Sequence, residues 1–208
     1  MEITPATAED LEILIAFRDE AAGWLRARGI DQWSSPWPSE DLMAEGMLRN
    51  IRAGETFVVW NAGTPAATIT VDRWANPDRW TPAEAAEPAL YAHKLTVARA
   101  YAGRGLGAEL LDWAGTRAAE NGAIWLRLDV WTTNHDLQRY YLEQGFIHVR
   151  TVALAHNPSG ALFQRPAASA NAQASGEQGS GPVTTGSEPC GPKSSPTIRQ
   201  MIYATEFS

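Results

Sequence analysis

A chain of 208 residues is long enough for one domain with a full core and too short for two ordinary ones. Apolar residues at 44% and charged ones at 20% are the mix of a soluble globular protein, and a net charge of −7 disfavours general nucleic-acid or anionic-membrane binding while suiting a cationic substrate. The single cysteine, Cys190, excludes an internal disulfide or cysteine-based metal cluster; no apolar run nears the roughly 18 residues of a membrane span, and the N-terminus lacks a signal-peptide pattern, so a cytoplasmic protein is expected.

Ile3 opens a short strand. Thr7 with Asp10 has the form of a capping box, and Leu11, Leu14, Ile15, Arg18, Ala22 and Leu25 keep helical spacing to Gly29. A Trp- and Pro-rich link over 29–38 leads to Ser39, placed to cap a second helix that carries Leu42, Met47, Leu48 and Ile51 and ends at Gly54. Residues 56–60 and 67–72 are β-rich runs joined across 61–65 as a hairpin. An irregular loop over 74–88 precedes a strand at 90–97, and then come a glycine-rich turn and a helix at 105–121 with Leu106, Leu110, Ala114 and Ala118 on one face. Strand 124–131, helix 136–144 and strand 146–154 follow, with Leu162-Phe163-Gln164 offering a last strand. Residues 1–165 show no internal repeat, and this alternation is α/β, or α+β, in class.

Composition shifts sharply at Pro166. Residues 166–196 hold 5 Gly, 5 Pro, 6 Ser and 5 Ala, with Val183 the one large aliphatic. So little apolar surface cannot offset the entropy of ordering, and disorder is expected there. Residues 197–208 recover some pattern (Ile198, Met201, Ile202, Tyr203, Phe207), and a short docked strand and a frayed end both stand as readings.

The stretch with most chemistry is Ala102-Gly103-Arg104-Gly105-Leu106-Gly107-Ala108. Glycines let the backbone approach a ligand closely, and the N-terminus of the following helix suits a phosphate or pyrophosphate. A bare strand-to-helix turn needs fewer glycines. A Walker loop is ruled out by the missing Gly-Lys-Ser/Thr ending. A dinucleotide fingerprint fits as Gly103-x-Gly105-x-x-Ala108 with Asp129 on the next strand, although residues 98–102 separate the glycines from the preceding strand. That reading stands as the runner-up.

A third ligand, coenzyme A, is favoured by the wider sequence. Leu95-Thr-Val97, Gly103-Arg-Gly-Leu-Gly107, Leu128-Asp-Val-Trp131 and Asn134-x-x-Leu137-x-x-x-Tyr141-x-x-x-Gly145-Phe146 occur in this order over about 60 residues, and together they resemble the GCN5-related N-acetyltransferase (GNAT) family. The likeness extends over residues 1–165. It implies a mixed, mostly antiparallel twisted sheet with a splayed central parallel strand pair and flanking helices. It implies acetyl-CoA as cosubstrate, with Leu95 and Val97 bonding pantetheine through their main chain and the Leu95 N–H serving as oxyanion donor. Gly103, Arg104, Gly105, Gly107 and Ala108 would cradle the phosphates, and Asn134 would contact the cofactor arm. The family usually has Arg or Gln where this chain has Ala102, which implies a weaker contact there.

The implied reaction is acetyl transfer to a primary amine in a ternary complex, and it needs a base, an oxyanion donor and a proton for the departing thiolate. Tyr141 matches the family's proton-donor position. His93 is the first choice of base because imidazole titrates near neutrality. His93 and Tyr91 alternate with Leu95 on one strand face; Tyr91, Asp72, Glu55 and a relayed water remain open as bases. Two other readings also stand: plain packing roles for these residues, and a non-catalytic acyl-CoA-binding module. The histidines at 93, 135, 148 and 156 show no metal-ligand spacing, and no metal is expected. Trp33, Trp37, Trp74 and Trp80 are either a wall for a cationic amine or packing residues. The expected partner is a small-molecule amine; neither nucleic acid nor membrane is expected, and a homodimer is left open.

Overall fold

The computed structural model describes residues 1–34, 39–153 and 158–168. Trp37, His156 and Cys190, most of the 166–196 segment and all of 197–208 lie outside the described residues. The described chain runs β1 (Glu2–Pro5), α1 (Leu11–Arg26), α2 (Glu40–Arg52), β2 (Thr56–Asn61), β3 (Thr64–Asp72), α3 (Pro82–Ala85), β4 (Ala89–Val97), α4 (Leu106–Glu120), β5 (Trp125–Trp131), α5 (His135–Glu143), β6 (Ile147–Thr151) and β7 (Ser159–Pro166).

Local chemistry sets the ends of these elements. The Thr7 N–H donates to Asp10 Oδ2 at 2.7 Å ahead of α1, and Ser39 Oγ accepts the Leu42 N–H at the start of α2. The loop after β3 is less irregular than its composition suggests: Thr81 and Glu84 cap the four-residue α3, with the Thr81 N–H 2.8 Å from Glu84 Oε2. The last strand is also longer than its apolar triplet implies. It lies between β5 and β6 and pairs with both, and the Ala167 N–H beyond it donates to the Ile124 carbonyl.

The seven strands form one sheet in the order β1-β2-β3-β4-β5-β7-β6. Only β4 and β5 run parallel, so the sheet is not the doubly wound one a dinucleotide site requires. Register assigns the faces. Thr56, Val58, Thr68, Thr70, Asp72, Tyr91 and His93 share one face, and Phe57, Val59, Ala67, Ile69, Val71 and Ala92 the other. The first face is covered over Val58 by α1 and α2, through Leu14, Met43, Met47 and Ile51. The second packs on α4, where Trp113 meets Phe57 edge-on at 4.9 Å.

Two irregularities position the site. The parallel pairing of β4 with β5 covers Ala89↔Trp125, Leu90↔Leu126 and Tyr91↔Arg127 and then stops, although β4 continues to Val97 and β5 to Trp131. The strands therefore diverge from Ala92 onward. A β-bulge also interrupts β4. Thr68 pairs with Thr96 but Thr70 with His93, so Ile69 faces both Lys94 and Leu95, and Lys94 takes φ +51°. The bulge changes the phase of the strand. His93 and Thr96 share the α1/α2 face, while Leu95 joins the main core with 1% of its surface exposed. Simple alternation, which puts His93, Tyr91 and Leu95 on one face, fails at that extra residue.

At the β6–β7 connection the Val152 N–H donates to the Gly160 carbonyl at 2.8 Å, and a Cβ on Gly160 would lie 2.0 Å from the Val152 carbonyl oxygen. Gly160→Ala should destabilise the fold by about 1–3 kcal/mol through overpacking, read as a lower urea midpoint at unchanged m-value. Wild-type stability in this variant would show that the two strands yield freely.

Candidate active site

The glycine turn has the geometry of an anion cradle. After a short 3-10 turn over Arg99–Tyr101, Gly103 and Gly105 adopt φ of +76° and +87°, values that favour glycine. The Gly105 carbonyl accepts the Glu109 N–H at 3.1 Å, so the N–H groups of Leu106, Gly107 and Ala108 precede the first intrahelical bond of α4. Gly103, Arg104 and Gly105 are exposed, and nothing lies within 4 Å of where a Gly105 Cβ would be. The Arg104 guanidinium sits 5.6 Å from the Tyr101 ring centre, adding positive charge. An exposed helix N-terminus behind two left-handed glycines fits a pyrophosphate. Leu95 and Val97, buried in the core, lie on the part of β4 that has left β5. An extended chain with amide groups fits such an unpaired edge.

Beside the divergence lies a set of ionisable groups, with Asp72 and His93 buried and Glu55 and Lys94 half-buried. His93 Nε2 is 3.3 Å from Asp72 Oδ1, and both residues are buried. His93 Nδ1 has no hydrogen-bond partner. Burial works to raise the Asp72 pKa, but the charge and hydrogen bond of His93, the Trp74 N–H at 2.9 Å and the charge of Lys94 together hold it below the usual carboxylate value. Burial, helped by the negative charge of Asp72, pushes Glu55 up, against the opposing charges of His93 and Lys94. Lys94, on the bulge, is pulled down to about 8 by burial, with Arg49 adding repulsion and Asp72 and Glu55 opposing the shift. Asp72, Glu55 and His93 are thus electrostatically linked. Lys94 belongs with them, and its place directly after His93 in β4 is the one sequence signal it carries.

Tyr141 lies on α5 among aromatic rings. Its ring centre is 5.6 Å from Phe146, 6.3 Å from Phe163 and 5.5 Å from Tyr140, and it is 1% exposed. Burial drives its pKa well above the usual phenol value, so it keeps its proton at neutral pH. Packing and proton storage coexist in this residue. Tyr91, on the same face as His93, is also pushed up by burial, although the Arg127 guanidinium 3.3 Å from its hydroxyl opposes the shift. That keeps it a phenol and a poor base.

Asn134 is more constrained than its motif suggests. Its Oδ1 accepts the Leu137 N–H at 3.1 Å to cap α5, and its Nδ2 donates to Gln32 Oε1 at 2.7 Å. Contact with a cofactor arm would use the second amide hydrogen. Beside it, Asp31 Oδ1 accepts from Trp131 Nε1 and Thr133 Oγ1, both at 2.9 Å. Asp31 and Gln32 therefore fasten the α1–α2 link to the end of β5. These contacts span about 100 residues and have no local signature.

The tryptophans divide. Trp80 is a packing residue, 5.7 Å from the Tyr91 ring and under the guanidinium groups of Arg127 and Arg150 at 4.7 and 5.9 Å. Trp33 is buried with φ +59°, and its carbonyl accepts from Arg18. Trp74 is 45% exposed. Three arginines collect in this corner. Arg127 bonds Gln164, the Glu84 carbonyl, Tyr91 and Glu87; Arg150 bonds Glu84 and the Arg79 carbonyl; and Arg79 Nη1 lies 3.1 Å from Asp129 Oδ1. Among the described residues no group of three or more His, Cys, Asp or Glu is arranged to hold a metal.

Comparison with known proteins agrees with this geometry. The model of the Acetyltransferase (GNAT) family matches residues 10–146. Over 146 residues, 68% of this chain and 79% of the relative, the sequence is 31% identical to YesJ, an uncharacterized N-acetyltransferase of Bacillus subtilis (strain 168). The fold is similar to that of a GNAT-family acetyltransferase from Listeria monocytogenes 4b F2365, with a TM-score of 0.65 at 23% identity over 79% of this chain and 94% of that one. It is also similar to that of the PaiA N-acetyltransferase from Thermoplasma acidophilum in complex with coenzyme A, with a TM-score of 0.60 at 20% identity over 79% and 98%.

The loop wall next to the site depends on Glu84, whose oxygens meet Arg150 at 2.6 and 2.7 Å. Hydrogen bonding from Arg150, assisted by Thr81, holds its pKa from 4.5 down to about 2 against some burial. A depressed carboxylate pKa stabilises the folded state fully above pH 4.5, and that contribution is lost as pH falls toward 2. Glu84→Gln should therefore flatten the dependence of the urea midpoint on pH across this window. An unchanged slope would show that the pair does not act on folding.

Proposed function

The chain belongs to the GNAT acetyltransferase family, and on that footing we propose that it transfers the acetyl group of acetyl-CoA directly to the primary amine of a small cationic acceptor. The observation that carries this reading is the divergence of β4 from β5 after Tyr91↔Arg127, with the glycine cradle following β4 and the Asp72–His93 pair beside the gap. The net charge of −7 favours approach of a cation.

Bound acetyl-CoA supplies an acetyl group activated as a thioester; the remaining tasks fall to the chain. The N–H groups of Leu106, Gly107 and Ala108, with Gly103, Arg104 and Gly105, hold the pyrophosphate. The main chain of Leu95 and Val97, on the part of β4 that no longer pairs with β5, aligns the pantetheine, and the Leu95 N–H donates to the carbonyl oxygen as charge develops there. Asp72 accepts a hydrogen bond from His93 Nε2, which leaves the Nδ1 lone pair free to take the amine proton directly or through one water. The amine nitrogen forms its bond to the acetyl carbon as the carbon–sulfur bond breaks. Tyr141, kept protonated by burial, gives its proton to the departing sulfur.

Release of free thiol from acetyl-CoA across a panel of primary amines tests the assignment. Amine-dependent thiol release is expected, together with an acetyl-CoA-induced rise in Tm. His93→Gln should lower kcat by about 10²-fold while keeping that rise. Acetyl-CoA that raises Tm without thiol release for any amine would instead mark a binding module.

Tyr141→Phe separates catalysis from packing, because it removes one hydroxyl and keeps the ring. A thiol of pKa about 8.5 leaves fairly well unaided, so a loss near 10²-fold in kcat is expected, with the acetyl-CoA Kd unchanged. Unchanged kcat in a stably folded variant would remove Tyr141 from the mechanism and leave water as the donor.

A further inference from the structure

Among the described residues Arg79 is a buried cation, none of whose guanidinium nitrogens has a hydrogen-bond partner. Its side chain has no exposed surface, and Nε, Nη1 and Nη2 all lack a hydrogen bond. Asp129 Oδ1, 3.1 Å from Nη1, supplies opposite charge without hydrogen-bond alignment, and the other oxygen of Asp129 already accepts from Ser159 Oγ. Five N–H donors left idle in a buried guanidinium are rare, because an unmet buried donor is costly. The contrast with its neighbours is sharp. Arg127 uses all three nitrogens, and Arg150 uses both terminal ones on Glu84 and the Arg79 carbonyl. Glu84 and Glu87 are thereby engaged elsewhere, and Arg79 keeps its capacity.

Its position gives that capacity a use. Asp129 stands two residues beyond Arg127, the last residue of β5 to pair with β4, and His93 stands two beyond Tyr91, the matching residue of β4. Both point to the α1/α2 face, so Arg79–Asp129 and Asp72–His93 flank the mouth of the divergence from opposite sides. A planar guanidinium fork matches a carboxylate in bidentate fashion. The adjacent Asp129 carboxylate suits the ammonium that accompanies such a carboxylate in a zwitterion.

We propose that Arg79 and Asp129 form an amino-carboxylate subsite, so that the amine acetylated by this chain belongs to a free amino acid. Arg79 binds the acceptor's carboxylate, and Asp129 draws its ammonium toward His93 before deprotonation. This rests on the acetyl-transfer reading above and narrows its acceptor class.

The test uses the full-length chain with the common L-amino acids and, for each, its decarboxylated amine. Two readouts are taken: thiol release from acetyl-CoA, and the further rise in Tm that each compound causes with coenzyme A saturating. Wild-type protein should bind and acetylate at least one amino acid about 10–10²-fold better than its decarboxylated amine, the range of a charge-assisted hydrogen bond. Arg79→Gln should bring the ratio of amino-acid to amine kcat/KM toward one, chiefly through KM for the amino acid, with the acetyl-CoA Kd unchanged. Arg79→Lys, which keeps the charge and loses the fork, should restore part of it and guards against a Gln variant that fails to fold. Equal binding and turnover of amino acid and amine by the wild type would overturn the subsite, as would equal loss of both in Arg79→Lys. Binding of an amino acid without thiol release would uphold the subsite and sink the acetyl-transfer reading instead.

Discussion

Two parallel strands that part company leave a row of backbone groups without partners, and such groups must be satisfied or carry a cost. In this chain the parting comes inside the sheet, between β4 and β5, where no water-facing edge would normally exist. On their far sides β4 stays paired to β3 as far as Val97, and β5 to β7 as far as Trp131. Each strand is tied on its outer side, while the pairing between the two ends at Tyr91↔Arg127. On the acetyl-transfer reading proposed above, the amide-bearing arm of the cosubstrate completes the sheet there. The glycine turn follows on the same strand, within the eight residues that separate the end of β4 from the start of α4.

The bulge at Lys94 is the second constraint on the site. It turns Leu95 into the core while His93 faces Asp72, so one strand serves two functions on two faces within three residues. A regular strand would send Leu95 to the His93 side and cost the core a fully buried leucine. The left-handed lysine is strained for an L-residue, and backbone strain of this kind is kept where the surroundings over-determine it. Here those surroundings are strands paired on both sides of the irregularity.

Sequence reasoning found what is local. The glycines at 103 and 105, the Ser39 cap, the hairpin and the spacing from Asn134 to Tyr141 all lie within a turn or a helix, and each has a short-range physical cause. The bulge is invisible at this level, because Lys94 is an ordinary residue whose phase is set by its β3 partner. Asp31, Gln32 and Arg79 also carry no signature, and Asp129, although it lies in the Leu128-Asp-Val-Trp131 motif, shows no sign there of its Arg79 partner; these pairings join residues 50 to about 100 positions apart. Asn134 shows the opposite case. Its motif was legible, but the cap and the Gln32 bond that occupy it depend on a link far upstream.

That last bond joins two regions with different tasks. Asn134 caps the start of α5, which carries Tyr141, and Gln32 follows α1, whose Leu14 packs with α2 over the Val58 face of the sheet. With Asp31 holding Trp131 and Thr133, a few side-chain hydrogen bonds fasten the link to the end of β5. A ligand that draws on the Asn134 amide therefore acts on the link as well, and a ligand that orders the link acts on Asn134. Linkage makes such an effect reciprocal: whatever factor one ligand imposes on the affinity of the other is returned unchanged. The latch between these two amides thus couples the start of α5 to the residues that follow α1 through one hydrogen bond at 2.7 Å, and on the acetyl-transfer reading proposed above it makes the affinities for cosubstrate and acceptor interdependent.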